Sequence, residues 1–322
     1  MSRYALRIAL GAALTAVLAP AAHAADETSS GDKLRMLYSN QFTFTDDGLP
    51  VVTIELASGR RQVVLGSPKG VVVKPDGESG AAIRAGKRWT ITVKNTRPAK
   101  LREWTVVGRF HPDETSAIDR AYRTWKGRGF EPKSFEIGTL FGISGAVLDS
   151  RETLVAIAPT GKGSGKGKAR RISRKYDVKT WVHTEVVKLP RGTVVARSGS
   201  VTIENPSVIW FYPNSDNGTI EVKDIVVGGG GSQLKTKTEN RRYFGGVYAT
   251  IGKDGKLVVV NAVSTDRLLA GIVPSEIFPS APPAALRAQA VAARTELLEK
   301  LGRRYFGDPF LLCSTQQCQV YS

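Results

Sequence analysis

The chain has 322 residues, a formal net charge of +17 and 41% hydrophobic residues. That apolar fraction excludes global disorder, and the length accommodates two domains. The charge favours a polyanionic partner. With three histidines in all, the first of them His23, a multi-histidine metal centre or a histidine-activated nucleophile is a poor expectation, and catalytic proton transfer falls to a carboxylate.

Residues 1–24 read as a secretory signal peptide. Arg3 and Arg7 precede an apolar run from Ile8 to Ala19, and Ala22-His23-Ala24 supplies the small-x-small cleavage pattern. The run is too short to span a bilayer, which takes about 20 apolar residues, and no later segment is apolar enough to span. The protein is therefore expected to be exported to the periplasm, cell envelope or exterior, with no membrane span after signal removal. Export argues against nucleic acid as the anion and towards wall polymers, wall carboxylates or lipid headgroups.

Residues 25–101 are expected to be β-rich. The stretches starting at Val51, Arg61, Val71 and Trp89 are short, β-branched and alternating, with glycine and Asp-Gly turns between them. Residues 102–159 read as a β-α-β unit: a strand from Arg102, a helix over about 113–128 and further strand from Phe135. Ala117, Ile118, Ala121, Tyr122 and Trp125 form the apolar stripe of that helix. Trp104-Thr-Val-Val-Gly-Arg-Phe, the alanine-rich helix and Gly127-Arg-Gly-Phe130 resemble the SPOR-type repeat, and the resemblance implies binding of peptidoglycan glycan strands.

Residues 160–227 are expected to hold a flexible basic loop and further strands, because Thr160 to Lys175 contains seven cations, four glycines and no acid. Gly228 to Ser232 reads as a flexible linker and marks a domain boundary. Beyond it, Val247–Ile251 and Leu257–Val263 form a hairpin around Gly252-Lys-Asp-Gly. A long helix follows from about Pro282 to Gly302, its prolines suited to a helix start. Leu286, Ala290, Ala293, Leu297 and Leu301 line its packing side, and Arg287 and Arg294 share another face. The fold class is α+β.

Residues 233–322 resemble the SpoIID/LytB domain. The resemblance rests on Arg241-Arg-Tyr, Val260-Asn, Leu269-x-Gly-Ile-Val-Pro-Ser-Glu276, Ala285-Leu-Arg-Ala-Gln-Ala-Val-Ala-Ala-Arg-Thr295 and Cys318-Gln-Val-Tyr321. It implies lytic transglycosylase action on glycan strands stripped of stem peptides, with Glu276 at the position of the acid and base. The alternative is a non-catalytic glycan-binding activator of a cell-wall amidase. Arg287, in place of the usual lysine, and Arg294 fall at substrate-binding positions, as do Gln319 and Tyr321. An acid needs a raised pKa, which Ile272, Val273, Ile277 and Phe278 are expected to supply. Asp266 and Asp308 are nearby acids without a motif position. For Cys313 and Cys318 a disulfide is favoured over a metal site or free thiols in an exported chain. Gln317 stands where the family often has histidine, so no metal and no cofactor is expected. The family domain runs on beyond Gln-Val-Tyr, so the domain is expected to be incomplete here.

Overall fold

The computed structural model describes residues 30–39, 43–75, 80–143, 146–159, 161–215, 217–227 and 237–314. The expected signal peptide, the Gly228–Ser232 linker and Cys318, Gln319 and Tyr321 lie outside the described residues.

The chain opens with helix α1 (Ser30–Leu37) and strands β1 (Thr43–Phe44), β2 (Pro50–Arg60), β3 (Gln62–Gly66), β4 (Val71–Lys74), β5 (Ile83–Arg84) and β6 (Arg88–Arg97). A second stretch holds β7 (Lys100–Phe110), α2 (Thr115–Gly127), β8 (Pro132–Ile137), β9 (Leu140–Ile143), β10 (Ala146–Asp149), β11 (Glu152–Ile157), α3 (Gly165–Tyr176) and β12 (Trp181–Lys188). The remainder is β13 (Arg191–Ser198), β14 (Val201–Asn205), β15 (Val208–Pro213), β16 (Ile220–Val227), β17 (Lys237–Tyr243), β18 (Gly246–Ile251), β19 (Leu257–Ser264), α4 (Thr265–Glu276), α5 (Pro283–Lys300) and β20 (Leu312–Cys313).

Two large sheets share one core. The first runs β1-β2-β19-β18-β15-β4-β5, with β20 added to β2, and the second runs β14-β13-β6-β3-β16-β17. The alternation of β2 sends Val52, Ile54 and Leu56 inward, as the two-residue side-chain period of a strand requires. They meet Leu65, Trp89 and Ile91 from the second sheet in the same cluster, where Trp89 and Phe211 stand 6.4 Å apart at 57°. Strands β18 and β19 are buried along nearly their whole length. Their outward residues Tyr248, Val258 and Val260 are covered by Phe310 and Leu37. Burial on both faces explains why their sequence is a continuous apolar run.

The division expected at 228–232 does not separate two cores. Strand β16 pairs with β17 in register Val227↔Lys237, and β19, from beyond the division, pairs with β2 over most of its length. Side chains from Val52 to Cys313 fill one cluster.

A second body is inserted between β6 and β13. Its sheet order is β12-β7-β11-β8 with all pairs antiparallel, a β-α-β-β-α-β arrangement with β9 and β10 as an added hairpin. The β-α-β unit of the sequence reading is thus the first part of a longer unit that ends at Lys188. The basic loop expected at 160–175 is largely helix α3. Ser164 caps it by accepting a hydrogen bond from the Gly167 N–H, and Asp177 ends it in a left-handed conformation. The reason lies in its spacing: Ala169 and Ile172 are buried and Tyr176 packs edge-on to Trp125 at 5.2 Å, so one apolar stripe holds a helix whose other faces are cationic. Arg128 lies 4.6 Å over both the Trp125 and Tyr176 rings.

Candidate functional site

The segment with the family signature folds as two consecutive hairpins. In the first, β18 and β19 are joined at Ile251↔Leu257, with Gly252 N–H donating to Lys256 O at 2.8 Å. Asn261, buried on β19, donates through Nδ2 to Phe244 O and Gly246 O, both at 2.8 Å. The asparagine of the signature therefore fastens the entry to β18, a structural task that satisfies its own buried amide donor.

The second hairpin is α4, a proline turn and α5. Helix α4 lies where the sequence reading left no element; Gly271 and Pro274 obscured the spacing of Leu268 and Ile272, which enter the core. Asp266 stabilises its first turn. Burial pushes the Asp266 carboxyl up, but hydrogen bonds from Ser264 and from the backbone N–H groups of Arg267 and Asp266 outweigh it and hold the acid below its ordinary value. Helix α5 starts on Pro282 and Pro283 as expected. Ala293, Leu297 and Leu301 are buried, and Leu286 and Ala290 are half-buried, so the predicted packing side is the observed one.

Glu276 is the last residue of α4 and is exposed, as are Arg287 and Arg294 on α5. Neither arginine forms an ion pair or hydrogen bond with Glu276 among the described residues. The apolar setting expected around Glu276 is not there. Ile272 turns into the core, Val273 and Ile277 are half-buried, and Phe278 is 83% exposed. The physical reason is position: a residue at a helix end before a Pro-rich turn projects beyond the body that buries the helix.

Acids in more enclosed settings lie elsewhere. Burial pushes the Glu55 carboxyl up, against a lowering hydrogen bond from Ser58, and the nearby Asp308 adds to the rise. Asp308 is itself pushed up by burial, although Lys253 pairs with it at 2.7 Å and opposes the shift. Cys313 is buried and disulfide-bonded. No group of three or more histidine, cysteine, aspartate or glutamate residues able to hold a metal occurs among the described residues, and none of their helices is long and apolar enough to cross a membrane.

Sequence reasoning missed a groove of about 880 Å³ on the outer face of the first sheet. The signal was present in β15, where Ile209 and Phe211 are buried and alternate with half-buried Trp210 and Tyr212. That alternation assigns the second pair to the face away from the shared core.

No curated protein and no solved structure matches the chain. Residues 253–322, which include Glu276, Arg287 and Arg294, match the family model SpoIID, Stage II sporulation protein.

Proposed function

We propose that the protein is exported to the cell envelope and cleaves peptidoglycan glycan strands as a lytic transglycosylase, with Glu276 as the acid and base. The observation that carries this reading is that the SpoIID match spans Glu276, Arg287 and Arg294, all three of which reach solvent from one helical hairpin. In this chemistry the Glu276 carboxylic acid gives its proton to the glycosidic oxygen as the C1–O bond breaks. The resulting carboxylate takes the proton of the muramic 6-hydroxyl as that oxygen closes on C1, and the product is a 1,6-anhydro ring. One carboxyl group serves both halves, so the second carboxylate of ordinary glycoside hydrolysis is not needed. Arg287 and Arg294 hold the lactyl carboxylate of muramic acid. The β-α-β-β-α-β body is the glycan-holding module of this reading.

A second reading is a non-catalytic glycan-binding activator of a wall amidase. The exposure of Glu276 beside a Phe278 that is 83% exposed favours it, since an uncovered aromatic next to an uncovered acid suits a contact with another protein. Purified protein incubated with stem-peptide-free glycan decides between them. Anhydro-muramyl products detected by mass spectrometry support the enzyme. Their absence, with stimulation of an added amidase, supports the activator.

A further inference from the structure

We propose that the groove on the outer face of the first sheet is a second saccharide site, shaped for a neutral N-acetylated glycan and separate from the helical hairpin that carries Glu276. One wall is aromatic. Trp210 and Tyr212, two residues apart on β15, hold their rings parallel within 8° and 6.0 Å apart. Trp210 rests on Tyr248 at 4.5 Å, and Tyr248 is fixed by donating from its hydroxyl to Pro309 O at 2.5 Å. Tyr212 lies against Gly246, where a Cβ would stand 2.7 Å from its ring. Any larger residue there would displace the ring, so the glycine is part of how this wall is built. Phe44, 43% exposed, closes the groove from the β1 side.

The opposite character comes from charge. Asp46 and Asp47 follow Phe44 in the turn after β1, and Asp266 reaches the groove from the start of α4. Lys33 and Arg267 also line it. Lys74 adds a third cation, 5.4 Å from the centre of the Tyr212 ring, so three carboxylates meet three cations and the groove is close to neutral in a chain of net charge +17. A lining without excess positive charge disfavours nucleic acid and other polyanions. An acyl chain would leave four or more charged groups unused and partly desolvated. A pyranose uses both halves, because its axial C–H groups lie on an aromatic ring while its hydroxyls and acetamido N–H donate to carboxylates, which only accept. The volume is that of an ordinary ligand cleft and accommodates several sugar rings.

The test is calorimetric titration of the full chain with chitohexaose, a glycan of β-1,4-linked N-acetylglucosamine without lactyl carboxylates. Since binding is read without turnover, the result is independent of whether Glu276 cleaves. Saturable binding is expected, weakened about tenfold or more in Trp210→Ala, the scale of one lost stacking partner. Asp47→Asn, on an exposed turn where folding is not at risk, should weaken it in the same direction. Circular dichroism verifies that each variant is folded. Absence of binding, or unchanged affinity in both variants, overturns the proposal. So does binding of oligolysine that is lost in Asp46→Asn/Asp47→Asn while chitohexaose fails to bind, which would assign the groove to a cationic peptide.

Discussion

The β18–β19 hairpin and the α4–α5 hairpin follow one another in sequence and have opposite surroundings. The first is buried on both faces, and almost every side chain in it touches a core. The second is anchored by few residues, chiefly Leu268, Ile272, Ala293 and Leu297, and presents Glu276, Arg287 and Arg294 to solvent. Both carry parts of the same family signature. A signature residue can therefore be kept for the fold, as Asn261 is, or for chemistry, as proposed for Glu276, and burial tells the two apart.

Substitutions can break or sharpen this contrast. Glu276→Gln is expected to reduce anhydro-muramyl product by a factor of about 10²–10⁴, the usual worth of one general acid or base, and to leave the melting temperature unmoved. A parallel fall in stability would show that the second hairpin is not separable from the core. Trp89→Ala should do the reverse, costing about 3–5 kcal/mol of stability through the void it leaves, with the activity of the surviving folded fraction preserved. Denaturant titration combined with the product assay reads both. Leu297→Ala sits between them: a loss of about 2–5 kcal/mol on the anchored side of α5, accompanied by displacement of the cationic face and lower activity. Arg294→Ala should weaken glycan binding and turnover together, and the deficit should shrink as salt screens the lost charge. An effect indifferent to ionic strength would assign Arg294 a packing role.

The smallest expected effect is one of pH. Burial raises the Glu55 carboxyl above its ordinary 4.5, so folding favours the protonated form. Its contribution to stability is complete below 4.5 and is lost as pH rises through the folded value. Glu55→Gln removes that loss, and thermal melts between about pH 4 and 7 should show a shallower decline than the parent chain. His183 in the inserted body acts in the opposite sense. Burial lowers its pKa from 6.5, with Glu185 raising and Lys133 lowering it further. The stability it contributes is present above 6.5 and falls away as acidification reaches the folded value.

Much of the strand content was legible because β2, β3 and β6 alternate in the manner of half-buried strands and β4 is a short run of valines. Helix α5 was legible from its prolines and the spacing from Leu286 to Leu301. What escaped was whatever depends on distant pairing. Nothing local to β2 announces that Val52 will lie opposite Val263, and nothing in the glycines at 228–231 announces that β16 and β17 pair with each other. Helix α3 escaped because cations and glycines outnumber the residues that hold it in place. At the candidate site the positions of Glu276, Arg287 and Arg294 were legible through the family motif, whereas their exposure was not. The groove draws Asp47, Trp210 and Asp266 from three remote parts of the chain, and no motif spans them.

The way the second body is attached carries a consequence of its own. Its entrance and exit are neighbours in one antiparallel ribbon, with Arg97 opposite Arg191 on the core side and Lys100 opposite Lys188 on the other. A lobe mounted on a two-stranded stalk can be excised by joining the strands with a short turn, and the sandwich below need not change register. It is also moored at its far side. Gly138 N–H donates to Gly302 O at 2.9 Å, Arg303 donates to Ser150 O and pairs with Glu152, both at 3.0 Å, and Phe306 lies 5.9 Å from the His183 ring. Gly302 permits this approach, since its backbone is left-handed and a Cβ there would stand 3.1 Å from the Gly138 carbonyl carbon. The mooring point comes immediately after α5. A load on the lobe is thus divided between the stalk and the end of the helix that carries Arg287 and Arg294, in the manner of a lever resting on two supports.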